Sequence, residues 1–371
     1  MWGILMKNQG PFKIHSKSLL ASSTFFAQLV TLLVVILIVV AMGRHSQTST
    51  NDPSPINAAE AIIKAFDKYP VVALGDLHGC QELYDFITLL VRNPDFINKV
   101  NDIVVEFGNA LYQDVADRYV SGKEVPLAEV RQIWRNHTNP IVFDSPVYGQ
   151  FFKTIREINQ SAPEGKRLRI LLGDPPIDWS KIQTNKDWGR MLFRRDPHFI
   201  EVMEKEVFAK DRRAFLIIGA AHLVRRLDKN NVTGRIESQH PQSMFIVVPH
   251  DGFRERNEEL EPRLSSWKVG SLALLKGTWL GSLHPRLRWP QMKDAKLSDS
   301  KAEPKLEDVA DAWLYVGPRD LLTEALPFPG VYRDEYWNEL NRRHIIMWGK
   351  PIDDPTADDF NTSGRYYVKP R

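Results

Sequence analysis

Cysteine is almost missing from this chain: Cys80 is the single one among 371 residues. That excludes an intrachain disulfide framework and a multi-cysteine zinc site. An excess of one charge sign is missing too. The formal net charge is +3, which argues against a dedicated nucleic-acid binder, since such proteins carry a concentrated basic patch. Charge of either sign is absent from Ser18 to Gly43. Within that gap Phe25 to Met42 is almost wholly apolar, and roughly 20 apolar residues cross a bilayer core as a helix. Lys7, Lys13 and Lys17 precede the run and Arg44 follows it. The positive-inside rule then keeps a short N-terminus in the cytoplasm and exports the rest. A cleavable signal peptide is the rival, with Ala41 and Gly43 at a cleavage site, but its apolar region is usually only about 7–15 residues. The expected order is a cytoplasmic N-terminus at 1–23, a single-pass membrane anchor at 24–43 and a flexible linker at 44–56, rich in Ser, Thr, Asn, Asp and Pro.

What remains is ordinary globular sequence, 43% hydrophobic and 26% charged. Short apolar runs, often β-branched, alternate with helical spacing. Strands are expected at Val71–Gly75, Asp102–Phe107, Arg169–Gly173, Ala214–Ile218, Met244–Val248 and Ala310–Val316. Helices are expected at 58–69, 82–91, 110–120, 127–134 and 145–159, with a long one at 187–210 that Pro197 could break. Alternation of this kind implies an α/β domain, a mostly parallel sheet flanked by helices. It is expected to span 57–350, with an irregular excursion at 254–305 and a C-terminal tail at 351–371.

Two strand ends share a pattern. Gly75-Asp76-Leu77-His78 and Gly219-Ala220-Ala221-His222 are both Gly-x-x-His, and each closes a buried-looking strand. Glycine permits a turn or close backbone approach, which marks Gly75 and Gly219 as turn-forming. Histidine offers a general base or a metal ligand. Ligands of open α/β sheets bind outside the carboxyl ends of the strands. Glu106 lies in the next strand, and a carboxylate inside an apolar strand needs a partner or a cation. Asp174 ends the following strand, and Glu82 lies one helical turn beyond His78. Arg195 follows Arg194 ahead of Asp196, and arginine clamps carboxylates and oxyanions.

These residues resemble a superfamily that groups erythromycin esterases, Tiki metalloproteases, TraB proteins and ChaN-type haem-binding lipoproteins. The likeness rests on the first Gly-x-x-His with its sequel Gly79-Cys80-Gln81-Glu82, on Val104-Val105-Glu106, on Arg195-Asp196-Pro197-His198-Phe199 and on Ile218-Gly219-Ala220-Ala221-His222. It spans roughly Val71 to Leu223. The esterase opening, Gly-Glu-x-x-His, is one residue longer, so the spacing here is nearer the ChaN and Tiki types. Tiki-like members imply divalent-metal peptide hydrolysis, esterase-like members a histidine that activates water without metal, and ChaN-like members haem binding.

The leading expectation is a membrane-anchored, exported hydrolase acting on an ester or amide bond of a small-molecule or peptide substrate. His78, His222 and Glu106, with Glu82 or Asp174, either hold a divalent metal (Zn, Mn or Co) or activate water directly. Arg195 steadies the developing charge. The alternative is a ChaN-like protein that binds haem without turnover, its iron held by Tyr112, Tyr119, Tyr148 or a histidine. A third is an interaction module whose polar strand ends do no chemistry.

Overall fold

The computed structural model describes residues 51–140, 142–225, 229–250, 257–284, 304–325, 335–352 and 369–370. The apolar run at 24–43 and most of the tail at 351–371 lie outside these residues. Among the described residues no helix is long and apolar enough to cross a membrane.

Eight strands form one sheet: β1 (Ile56–Asn57), β2 (Val71–Asp76), β3 (Asp102–Asn109), β4 (Arg169–Asp174), β5 (Ala214–Gly219), β6 (Met244–Pro249), β7 (Ser271–Leu274) and β8 (Ala312–Tyr315). Their order across the sheet is β1-β7-β8-β6-β2-β5-β3-β4. From β8 to β4 every neighbouring pair is parallel. Only β7 and β1 are added antiparallel at one edge. Strands β2, β3, β5 and β6 are buried along their whole length, as a parallel sheet covered on both faces requires.

The period-two alternation of strand side chains divides the core in two. Val72, Leu74, Phe215 and Ile217 face one layer, packed with helices Gln81–Val91 and Pro146–Ser161. Val71, Ala73, Leu216 and Ile218 face the other, packed with Phe199 and Met203 and with Ile236 of helix Val232–Gln239. Gly173 lets this second layer close, because a Cβ there would run into the Phe199 ring.

Two expectations need correction. The long helix at 187–210 is instead helix Asn185–Leu192, helix Arg195–Val202, a π turn at Met203–Val207 and a short 3-10 turn at Phe208–Lys210. The break falls at Phe193 and Arg194, ahead of Pro197. Proline is tolerated in a first turn because N–H groups there have no intrahelical partner. The span 254–305 is not simply an excursion over the strand ends. Its described part holds helix Asn257–Leu264 and strand β7. It also places Leu272, Leu275 and Leu280 in the core, at the edge of the sheet far from β3 and β4. A strand without β-branched or aromatic residues and a proline within the helix leave little pattern to read. The helix Glu335–Trp348 also went unanticipated.

Candidate active site

Parallel strands end on the same edge, so the ends of β2, β3, β4 and β5 meet there. β2 delivers Asp76 and then the turn that carries His78. Gly79 takes φ +76°, a left-handed conformation that favours glycine. Its N–H donates to the buried Tyr148 hydroxyl (3.0 Å), which ties the turn to helix Pro146–Ser161. Gly75 and Gly219 act by close approach rather than by turning. Neither has positive φ. A Cβ on Gly75 would stand 3.0 Å from Ala220 Cβ and from Pro249 Cδ, and one on Gly219 would stand 3.2 Å from Glu106 Oε2.

Glu106 is the centre of the site. The pairing of β3 with β4 slips between Val105 and Asn109, and irregularities of this kind re-aim side chains beside functional sites. The Glu106 side chain is 1% exposed. One carboxylate oxygen accepts from the Gly219 N–H and the other from Arg195. Burial is the largest influence on its acidity and acts upward. Arg195, His78, His222 and the Gly219 N–H together outweigh it and hold the carboxyl well below the usual range.

A histidine stands on each side of this carboxylate. His78 Nδ1 is 2.8 Å from Asp76 Oδ2, and its Nε2 is 4.0 Å from Glu106 Oε2. His222 Nδ1 is 2.5 Å from Asp196 Oδ1, and its Nε2 is 3.8 Å from Glu106 Oε1. Each imidazole is thus oriented by an aspartate at one nitrogen and turns the other toward Glu106. Both rings are partly exposed, at 15% and 21%, so solvent reaches them. Burial lowers the His78 pKa, but Glu106 and Asp76 overcome it and leave a net rise. Burial raises that of Asp76, despite His78.

Asp174 sits one layer deeper. Thr138 donates to it through its N–H (2.8 Å) and its hydroxyl (2.6 Å), and Arg195 Nε lies 3.5 Å away. Burial pushes its carboxyl up to about 7, against the pull of Arg195 and Thr138. His137 joins the site without having been a candidate from sequence. Its Nδ1 accepts from the Asn139 N–H (2.8 Å), so Nε2 carries the proton and donates to the Glu106 carbonyl (2.9 Å). Burial lowers its pKa well below normal, so the ring is neutral. Trp179 and Trp188 hold the carbonyls of His137 and Thr138. Nothing local in Asn136-His137-Thr138 marks these residues, which lie outside the strands.

Glu82 does not reach this group. Its two oxygens accept from the Thr323 N–H and hydroxyl, each at 2.7 Å. Thr323 belongs to strand β9 (Thr323–Glu324), which passes behind the His78 turn and pairs with β10 (Lys369–Pro370). The Ala325 N–H donates to the Gly79 carbonyl (2.9 Å) and completes the strap. Cys80 is buried, and burial lifts its thiol to about 12, so it stays protonated.

The expected metal set therefore converges only in part: His78, Glu106 and His222 meet, and Glu82 does not join them. Glu82 is engaged elsewhere, both Glu106 oxygens are taken, and the Arg195 guanidinium lies between Glu106 and Asp174, where a cation would have to sit. Among the described residues no three His, Cys, Asp or Glu side chains are grouped to hold a metal ion. The donor set does not fit a divalent metal. Of the tyrosines considered for haem, Tyr112 accepts from Asn136 Nδ2 (2.6 Å) and Tyr119 packs under the Arg156 guanidinium at 4.9 Å.

No family model matches the chain, and no curated protein matches it. Solved structures similar to it include a Bacillus cereus protein, at 11% identity over 71% of this chain and 95% of that one, with a TM-score of 0.43. Another is ChaN of Campylobacter jejuni, described with cofacial haem binding, at 13% identity over 54% and 91%, TM-score 0.34. A third is the type III effector HopBA1, at 12% identity over 56% and 89%, TM-score 0.34. What those proteins bind or do is theirs. The fold of this chain stands on its own strand order.

Proposed function

We propose that this chain is a hydrolase of ester or amide bonds that works by histidine acid–base chemistry without a resident metal. One observation carries the reading: two His–Asp pairs turn their Nε2 atoms toward the same buried carboxylate, at 4.0 and 3.8 Å. In this scheme His222, oriented by Asp196, takes a proton from water at Nε2. The resulting hydroxide attacks the acyl carbon. His78, favoured in its protonated form by Glu106 and Asp76 once burial is outweighed, returns a proton to the departing oxygen or nitrogen. Arg195 meets the negative charge that develops on the acyl oxygen. Glu106 holds Arg195 and both imidazoles in register.

The test is hydrolysis of p-nitrophenyl acetate and of a mixed peptide library by the full chain, before and after dialysis against EDTA. The expected result is turnover that survives chelation within about twofold. Activity lost to EDTA and restored by Zn, Mn or Co would overturn the metal-free mechanism. An absorbance scan after haem addition runs on the same samples. A Soret band that disappears on changing Tyr112, Tyr119, Tyr148 or a histidine, together with no hydrolysis, would replace this reading with haem binding.

We also infer that the apolar run at 24–43 anchors the protein in a membrane, with the domain exported and the N-terminus cytoplasmic. The full chain is expected to stay in the membrane pellet through alkaline carbonate extraction, and a chain lacking residues 1–43 to be released. Release of the full chain would sink this assignment.

A further inference from the structure

Outside the site the described residues line a partly open cavity of about 480 Å³ between helices Gln81–Val91, Leu127–Arg135 and Pro146–Ser161. That is within the size range of small-molecule sites, roughly 300–1,000 Å³. None of His78, Glu106, Arg195 or His222 lines it. Its walls include the rings of Tyr84 and Trp134 and the side chain of Val147, all buried. A glycine inside a helix costs about 1 kcal/mol relative to alanine, and Gly149 occupies such a position on the wall. A Cβ there would stand 3.1 Å from Trp134 Cζ2, so the missing side chain is what admits the indole edge.

The charges on the cavity do not cancel. Arg135 is paired with Asp144 (3.4 Å), and Asp85 accepts from the neutral Gln81 amide (2.7 Å), which leaves its charge uncancelled, so three cations face two carboxylates. Arg131 is exposed and has no carboxylate or hydrogen-bond partner among the described residues. Lys153, 59% exposed, has only Glu157, at 4.0 Å, among the described residues. An apolar wall on which Leu127 is 55% exposed, with two loosely held cations beside it, suits one chemistry. A flat apolar body lies against that wall, and a single anionic group meets Arg131 and Lys153.

We propose that this cavity is a second binding site, for a small aromatic monoanion such as an aryl carboxylate or sulfonate. It lies one layer behind the His78 turn. Ser145 lines it and also donates to the Ala325 carbonyl (2.6 Å), part of the strap that holds Gly79.

The probe is naphthalene-1-sulfonate, titrated into the full chain by calorimetry beside its uncharged counterpart, naphthalene-1-sulfonamide. The expected result is one saturable site at which the sulfonate binds at least tenfold more tightly than the sulfonamide. Arg131→Glu with Lys153→Glu should erase that preference and leave sulfonamide binding within twofold. Both residues are exposed, so the fold should tolerate the change. His78→Gln with His222→Gln should bind the sulfonate as the wild type does, which separates this proposal from the hydrolase reading. No saturable heat, equal affinity for the two compounds, or sulfonate binding unchanged by the charge reversal would each overturn it.

Discussion

Replacing His78 or His222 with glutamine lowers kcat/KM for ester hydrolysis by about 100-fold or more, with little change in thermal stability. Positioned acid–base groups contribute typically 10²–10⁴-fold, or roughly 3–5 kcal/mol of barrier. Glutamine keeps a polar group beside Asp76 or Asp196, where the imidazoles stand at 2.8 and 2.5 Å. It removes only the proton traffic at Nε2. The two substitutions combined should cost far less than the product of the single losses, because residues that act as a unit are not additive. pH supplies a readout that a structural role would not move. The His78 pKa is raised above its usual 6.5, and an acid must be protonated to work. Activity should therefore fall as pH rises through that raised pKa, and His78→Gln should lose this alkaline limb. Measuring kcat/KM on an unactivated alkyl ester such as methyl butyrate from pH 5 to 9 by pH-stat decides the matter, because its alkoxide leaving group needs a proton. If both variants keep activity within threefold of wild type, the site does no acid–base chemistry.

Glu106→Gln should be the costliest single change to stability at the site. The carboxylate is 1% exposed and anchors Arg195, itself only 13% exposed. Removing one partner of a buried ion pair leaves an uncompensated charge, a loss of about 3–5 kcal/mol. For a chain of this size that lowers Tm by roughly 10 °C. Asp174 also faces Arg195, but at 3.5 Å and with its carboxyl pushed up to about 7, so it is a poor substitute anion. The sign of the pH dependence follows from linkage. A carboxyl depressed in the folded state contributes stability that is fully present above its unfolded pKa, near 4.5. That stability is lost as pH falls toward the folded value. The contribution of Glu106 itself to the gap between wild type and Glu106→Gln should thus be constant from pH 7 to about 5, while His78, whose raised pKa depends on Glu106, widens the gap as it protonates. Below about 4.5 the Glu106 contribution should narrow by roughly 1.4 kcal/mol per pH unit. Urea unfolding at each pH measures it. A variant as stable as wild type at pH 7 would show that Glu106 is not what balances Arg195.

The order of elements was legible because buried parallel strands write themselves as short apolar runs with helical spacing between them. The sharing of one edge by Asp76, Glu106, Asp174 and Gly219 was legible for the same reason, since parallel strands end together. The two Gly-x-x-His pieces could be seen to matter, but the reason for their glycines could not. Gly219 is needed because the Glu106 carboxylate and the His78 ring come within 3.2 and 3.3 Å of where its Cβ would be. That is a fact about neighbours, not about turns. Strand β7 was not legible because Ser271-Leu272-Ala273-Leu274 holds no β-branched or aromatic residue, whereas β8, equally short, carries Trp313 and Tyr315.

Partner choice was decided only in three dimensions. Glu82 reads in the sequence as a further ligand beside Glu106, yet its two oxygens accept from Thr323, 241 positions away. His222 meets Asp196 across 26 positions, and Glu106 meets Gly219 across 113. His137 reaches Glu106 from a loop with no pattern at all. The sequence by itself determined which residues carry ionisable chemistry and which sheet edge receives it, because hydrophobic periodicity is local. The tertiary structure decided which carboxylate meets which histidine and where Arg195 lies among them, because a hydrogen bond depends on distance in space and leaves no periodic trace along the chain.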